Sequence, residues 1–198
     1  MDTIITLGRQ FGSGGREIGK KLAQALGVPY YDKELLAVAA KESGLSAQFL
    51  HSYDEKPTNS FLYSLVMGQQ NLISPQGQTV EQLASSAQRE AVRSVAEKGA
   101  CVIVGRGADY ILRDRKDLVR VFISADWDYR VDHVCRRDAM TAKEAEVKLR
   151  KMDKERASYY NFATDRNWGE AANYDLCVNV TQKGPEGAVA TILAYLKA

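Results

Sequence analysis

A chain of 198 residues most simply makes one domain, spanning 1–198, long enough to bury roughly two thirds of its unfolded surface. It is 45% hydrophobic and 26% charged with a formal net charge of +2, a balance that gives no reason to invoke nucleic acid, where clustered basic residues are needed. Two histidines exclude a three-histidine metal centre, and no run approaches the roughly 18 apolar residues of a membrane span.

In chain order, "TIITLG" (3–8) is the first predicted strand. A glycine-rich stretch follows, then a helix with Ile18, Leu22 and Leu26 on one stripe, stopping at Gly27. "VPYYD" reads as a short second strand ending at Asp32. Residues 43–78, with the polar "SYDEKPTNS" and the loop "SPQGQ", read as a helical insertion with a mobile connection on the acceptor side. Thr79-Val-Glu-Gln82 is a capping box that opens a long helix running to Gly99. "ACVIVG" (100–105) and "LVRVFIS" (118–124) are continuous apolar runs, the pattern of buried parallel strands. Thr141-Ala-Lys-Glu144 opens a further helix, "YDLCVNV" (174–180) is the last strand, and Pro185 starts a final helix with Val189, Ile192, Leu193 and Leu196 on one face. Alternation of short apolar runs with helical patterns predicts an α/β fold, a mostly parallel sheet flanked by helices. Cys101, Cys135 and Cys177 lie far apart without a CxxC pair, and read as buried small apolar residues of a reduced compartment. With no basic region leading into an apolar run at residue 1, the cytoplasm is the expected location.

The first candidate site is the loop Gly12-Ser13-Gly14-Gly15 between strand and helix. Glycines adopt positive φ and let backbone N–H groups approach an anion, and the following helix adds the partial charge of its N-terminus. The usual phosphate loop also carries a lysine and then Ser or Thr; this chain writes Gly14-Gly15-Arg16-Glu17. Arg16 supplies charge one residue late, and its planar fork suits two phosphate oxygens. Arg9 is a second cation at the mouth of the loop. Glu17 stands either as a metal ligand, direct or through water, or as an acid complementing the helix dipole.

The second is Arg106 in "VIVGRGADYIL", just past a buried strand, at the edge where open α/β sheets bind ligands. Val104 stands where this fold often has an acid for Mg²⁺; Asp109 is a substitute or a surface acid. The third is "LRKMDKERASYYNF", in which Arg150, Asp153 and Arg156 share a helix face. The stretch 126–166 reads either as a solvated charged helix or as an arginine-bearing lid that closes on a transferring phosphate, joined by Arg130, Arg136 and Arg137. Tyr159 and Tyr160 sit beside those arginines, whereas the other tyrosines, Trp127 and Trp168 read as core or interface. His51 and His133 read as structural.

On "GRQFGSGGREIGKKLA", "VPYYDKELL", "VIVGRGADYIL" and "MDKERASYY", the chain resembles the cytidylate kinase-like proteins, P-loop relatives of nucleoside monophosphate kinases. The resemblance runs nearly end to end and is weak in 45–78. It implies a P-loop NTPase fold with a five-stranded parallel sheet, and transfer of the ATP γ-phosphoryl group, with Mg²⁺, to a small acceptor such as CMP or a related nucleotide. Set against true cytidylate kinases, the loop lysine falls on Gly15, the metal hydroxyl on Glu17 and the strand-end acid on Val104. Arg106 matches the arginine that binds the acceptor phosphate, Asp153 and Arg156 match a pair that touches the acceptor nucleotide, and Asp32 matches an acid near the acceptor. Lys33 replaces a serine that contacts the base. Three functions stay open: such a phosphotransferase, a regulatory nucleotide-binding module without catalysis, and a kinase for a non-nucleotide metabolite. A homodimer is open as well.

Overall fold

The computed structural model describes residues 3–44 and 80–198. Five strands, β1 (Ile4–Arg9), β2 (Tyr30–Tyr31), β3 (Cys101–Val104), β4 (Leu118–Ser124) and β5 (Leu176–Asn179), form one sheet in the order β2-β3-β1-β4-β5. Every pairing is parallel, so each connection is a crossover. The described helices are α1 (Gly15–Leu26), α2 (Glu34–Ser43), α3 (Val80–Glu97), α4 (Ala108–Ile111), α5 (Trp127–Asp138), α6 (Ala142–Thr164) and α7 (Gly184–Tyr195).

The two-residue period of a strand sorts the core into two layers. Ile4, Cys101 and Ile103 pack with Leu35, Val92 and Leu112 under α2, α3 and α4. Ile5, Leu7, Val102, Val104 and Val121 face the other way, onto Ile18 and Leu22 of α1 and Ile192 of α7. At about 25 cal/mol per Å² these apolar layers are the main favourable term of folding. Gly19 brings α1 close to the sheet, since a Cβ there would lie 3.0 Å from the Leu7, Tyr30 and Val104 side chains. A third cluster, Val134, Ala145 and Leu149 with Phe11 and Trp127 at its edge, joins α5 and α6 to the loop after β1.

This topology locates the crevice. From β1 the chain moves outward to β2, returns to β3 and then crosses β1 to β4. The helix after β1 packs on one face and the helix after β3 on the other, so the carboxyl ends of these strands open between them.

Several expectations are refined. The second strand is two residues long and the last begins at Leu176. Only Val121 to Ile123 of β4 are fully buried; its first residues are partly exposed, and Arg120 there pairs with Asp175. The cysteines are not uniformly buried: Cys101 is, and burial pushes its thiol up to about 11, but Cys135 is half-buried and Cys177 exposed. The cause is position, because β5 is an edge strand and Cys177 alternates with the buried Val178. Thr141 caps α6 in a reciprocal box, its hydroxyl accepting from the Glu144 N–H while Glu144 accepts from the Thr141 N–H. The Thr79 box, His51 and nearly all of the 43–78 insertion lie outside the described residues. Among the described residues no helix is long and apolar enough to cross a membrane.

Candidate active site

The loop after β1 is anchored from β4. The Gln10 N–H donates to the Ile123 carbonyl at 3.0 Å, and its side-chain oxygen accepts from the Ala125 N–H at 3.1 Å. Gly12 and Gly14 take φ of 79° and 75°, the left-handed region that costs a residue with a Cβ about 1–2 kcal/mol. Ser13 is fully buried, its hydroxyl donating to the Gln10 carbonyl at 2.8 Å. α1 then starts at Gly15 with no side chain capping it. An uncapped helix N-terminus behind a glycine turn is a fit for phosphate, because the first-turn N–H groups have no partner within the helix. Gly15 is dictated by packing: a Cβ there would lie 2.6 Å from the Arg9 Cβ.

Arg106 is held in an unusual way. Gly105, Arg106 and Gly107 are all left-handed, with φ of 79°, 57° and 63°. The sharp turn folds the Arg106 side chain under the strand end, 3% exposed, with its Nη1 3.5 Å from both the Val104 carbonyl and the Asp32 carboxylate. Asp32, itself 4% exposed, also accepts from the Arg16 Nε at 2.5 Å. The carboxylate thus stands between two arginines, and the Nε of Arg16 is directed toward the end of β2. Lys33 beside it is exposed.

A cleft opens where these strand ends meet α6. Gly8, Arg9, Gly105, Arg106 and Gly107 line one side, and Arg156, Tyr159 and Tyr160 of α6 the other. Asp109, Trp168 and Tyr174 complete it. Gly8 leaves room for the ring of Phe122, which would lie 2.8 Å from a Cβ at that position. Phe122 in turn supports Trp168 edge-on at 5.4 Å and Tyr174 at 4.9 Å. Asp109 is not a surface acid: it is 6% exposed and accepts from the Tyr160 hydroxyl at 2.7 Å. Burial pushes the Asp109 carboxyl above the usual carboxylate range, opposed by that hydrogen bond. Burial, with the carboxyl beside it, likewise raises Tyr160.

Of the expected site residues, Arg9, Arg106 and Arg156 share the cleft, and Asp32 lies against Arg106. Asp153 and Arg156, read as a pair on one face, turn to different partners. Arg156 Nη1 donates to the Arg9 carbonyl at 3.1 Å, whereas Asp153 accepts from the Phe11 N–H at 2.7 Å and from Arg130 at 2.5 Å. The other arginines named for a lid are matched locally: Arg136 with Asp132, Arg137 with Asp138, and Arg150 over the Trp127 ring. Glu17 is half-exposed and pairs with Lys21 at 3.0 Å. Among the described residues no three metal-ligating side chains come together, so they supply no cage for Mg²⁺. Trp168 and Tyr174, expected in the core or at an interface, reach the cleft with Asp109 from separate segments. Phe11 had one signal in sequence, a large apolar residue inside a glycine loop.

The comparisons with known proteins agree with this architecture. A cytidylate kinase from Pyrococcus horikoshii is 25% identical over 98% of this chain and 88% of its own length. A solved structure of an uncharacterized protein from Eubacterium ventriosum superposes with a TM-score of 0.73 at 29% identity, covering 99% of each chain. Shikimate kinase from Bacteroides thetaiotaomicron shares the fold, with a TM-score of 0.54 at 15% identity over 99% of each chain. The family model described as the cytidylate kinase-like family matches residues 4–182, and with the glycine loop after β1 and Arg106 after β3 in place, the chain belongs to the cytidylate kinase-like family.

Proposed function

We propose that this protein is an ATP-dependent phosphotransferase that moves the γ-phosphoryl group to a small anionic acceptor, with CMP or a related nucleoside monophosphate the leading candidate. The observation that carries the reading is the cleft shared by Arg9, Arg106 and Arg156, in a chain whose loop after β1 leads into an uncapped α1. Three guanidiniums in the lining of one opening suit a phosphate, whose oxygens their planar forks can match, and phosphoryl transfer depends mainly on positioning and charge stabilisation. The relative from Pyrococcus horikoshii, named as a cytidylate kinase, supports the same reading.

The Gly12–Gly15 backbone and α1 hold the donor phosphates in this scheme, with Arg16 at the loop's edge. Arg106 and Arg156 grip the acceptor, and Asp32 keeps Arg106 and Arg16 in place. An oxygen of the acceptor phosphate forms the new bond to the γ-phosphorus, the bridging bond to the β-phosphate breaks, and ADP leaves. A phosphate acceptor is already an anion at pH 7, so no strong base is required. Bound with ATP, Mg²⁺ would supply charge neutralisation on the phosphates, and Glu17, the one carboxylate between residues 9 and 17, is the residue that would hold it, directly or through water.

A regulatory module that binds nucleotide without turnover is the second reading, favoured by one observation: the Arg16 Nε is engaged by Asp32. Incubating the protein with ATP, Mg²⁺ and a panel of nucleoside monophosphates and phosphorylated metabolites, and following ADP, separates the two. Acceptor-dependent ADP is expected. ATP binding without turnover on the whole panel would sink the phosphotransferase reading.

A further inference from the structure

The backbone of the phosphate loop's first half is held chiefly by α5 and α6. Of the five backbone polar groups from the Arg9 carbonyl to the Phe11 carbonyl, three go to those helices. The Arg9 carbonyl accepts from Arg156, the Phe11 N–H donates to Asp153, and the Phe11 carbonyl accepts from Arg130 at 3.4 Å. The two at Gln10 are met by Ile123 and Ser13. Arg130 is 7% exposed and donates to the Asp153 carboxylate, so one acid ties loop, α5 and α6 together. Packing repeats the pattern. The Phe11 ring enters the α5–α6 core, and a Cβ at Gly12 would lie 3.1 Å from the Arg130 carbonyl, Val134 and Leu149.

We propose that Asp153, with Arg130, is a positioning residue for the phosphate loop: it presets the loop's conformation for the donor phosphates and does not contact the acceptor. This rests on the reading that donor phosphates bind at Gly12–Gly15. A carboxylate that accepts from a loop N–H and is neutralised by a buried arginine holds the backbone from one side while the other side stays open to the ligand. Small misplacements of such a cradle are expensive, because binding and transfer require donors aimed to within a fraction of an ångström.

The test uses Asp153→Ala, Asp153→Asn and Asp153→Glu in the full chain. ATP and CMP affinities are measured by calorimetric titration, and amide hydrogen exchange is followed at residues 9–12. Loss of a charge-assisted hydrogen bond predicts an ATP Kd raised about tenfold or more in Asp153→Ala. Asp153→Asn still accepts from Phe11 but leaves Arg130 without its counter-charge, so an intermediate loss is expected, with partial rescue in Asp153→Glu. CMP affinity stays within about twofold, and Phe11 exchanges faster. Weakened CMP binding with ATP affinity intact makes Asp153 an acceptor contact and overturns the proposal, as does unchanged ATP affinity. If the unsubstituted protein binds no ATP, the donor reading fails separately and exchange decides the loop lock: faster exchange at Phe11 in Asp153→Ala supports it, unchanged exchange refutes it. Should Asp153→Ala not fold, Asp153→Asn carries the same comparisons.

Discussion

Gly15→Ala reverses the usual effect of its substitution. In a helix, alanine is favoured over glycine by up to about 1 kcal/mol, and Gly15 has no left-handed φ to protect. The structure opposes that gain. A Cβ at residue 15 would lie 2.6 Å from the Arg9 Cβ and 2.9 Å from its Cγ, about 1 Å inside the ordinary carbon contact distance. Arg9 ends β1 and is 7% exposed, and the atom struck is its Cβ, which moves only with the backbone. Overpacking of this kind costs about 1–3 kcal/mol, so with the full propensity gain the net effect is a loss of up to about 2 kcal/mol. For a chain of this size that lowers Tm by up to about 8 °C in thermal unfolding followed by circular dichroism. On an Arg9→Gly background the same Gly15→Ala change becomes stabilising, with a coupling of about 1–3 kcal/mol in the double-mutant cycle. Gly15→Lys, which writes the usual loop lysine back in, meets the same obstruction and lowers Tm without raising turnover. A Tm that rises in Gly15→Ala, or a cycle that is additive, refutes the argument that Arg9 excludes a side chain at residue 15.

Arg106→Gly should separate stability from turnover. It releases a left-handed arginine, worth about 1–2 kcal/mol, and Asp32 keeps its contact with Arg16, so Tm is expected to shift by no more than about 8 °C. Acceptor-dependent ADP formation falls about 10²- to 10³-fold, as when one preorganised charge stabiliser is removed, and a loss under about threefold removes Arg106 from the mechanism. Asp109→Asn tests the buried acid through pH. The folded carboxyl is raised above its unfolded value, so the native state holds the proton more tightly and wild-type stability falls as pH rises through the interval from about 3.8 to the raised value. The asparagine does not titrate, so the Tm difference, variant minus wild type, grows from pH 4 to pH 7; a flat difference contradicts the raised carboxyl.

Much of the fold was legible because its signals are local. β1, β3 and β4 are apolar runs of the length and composition that a strand buried on both faces requires. α1 has its stripe at four-residue spacing and its stop at Gly27, which is left-handed as a helix C-cap should be. The Thr141 box and Pro185 in the first turn of α7 work within three or four residues of themselves. The glycine loop and Arg106 were legible for the same reason: each lies within a few residues of a strand end, and in a parallel sheet all such ends point to one edge.

The cleft was only half visible, because its other half is assembled across the chain. In sequence Asp109 reads either as a substitute for the strand-end acid or as a surface acid, since nothing near it shows Tyr160, 51 positions on, whose hydroxyl donates to it. Asp153 and Arg156, three apart on one helix, looked like one unit. Helical spacing settles that two side chains share a face but not what that face meets, and here one reaches the Phe11 N–H, 142 residues away, and the other the Arg9 carbonyl. The sequence by itself determined the order of strands and helices along the chain, the glycine loop and the cation after β3, since these follow from periodicity, glycine and charge at short range. Only the tertiary structure decided that Gly15 is required by Arg9, that Arg16 leans on Asp32 and that Asp153 holds the loop. Those outcomes depend on which surfaces the crossovers bring into contact, and the side chains and backbone groups that meet there carry no mark of it in their own neighbourhoods.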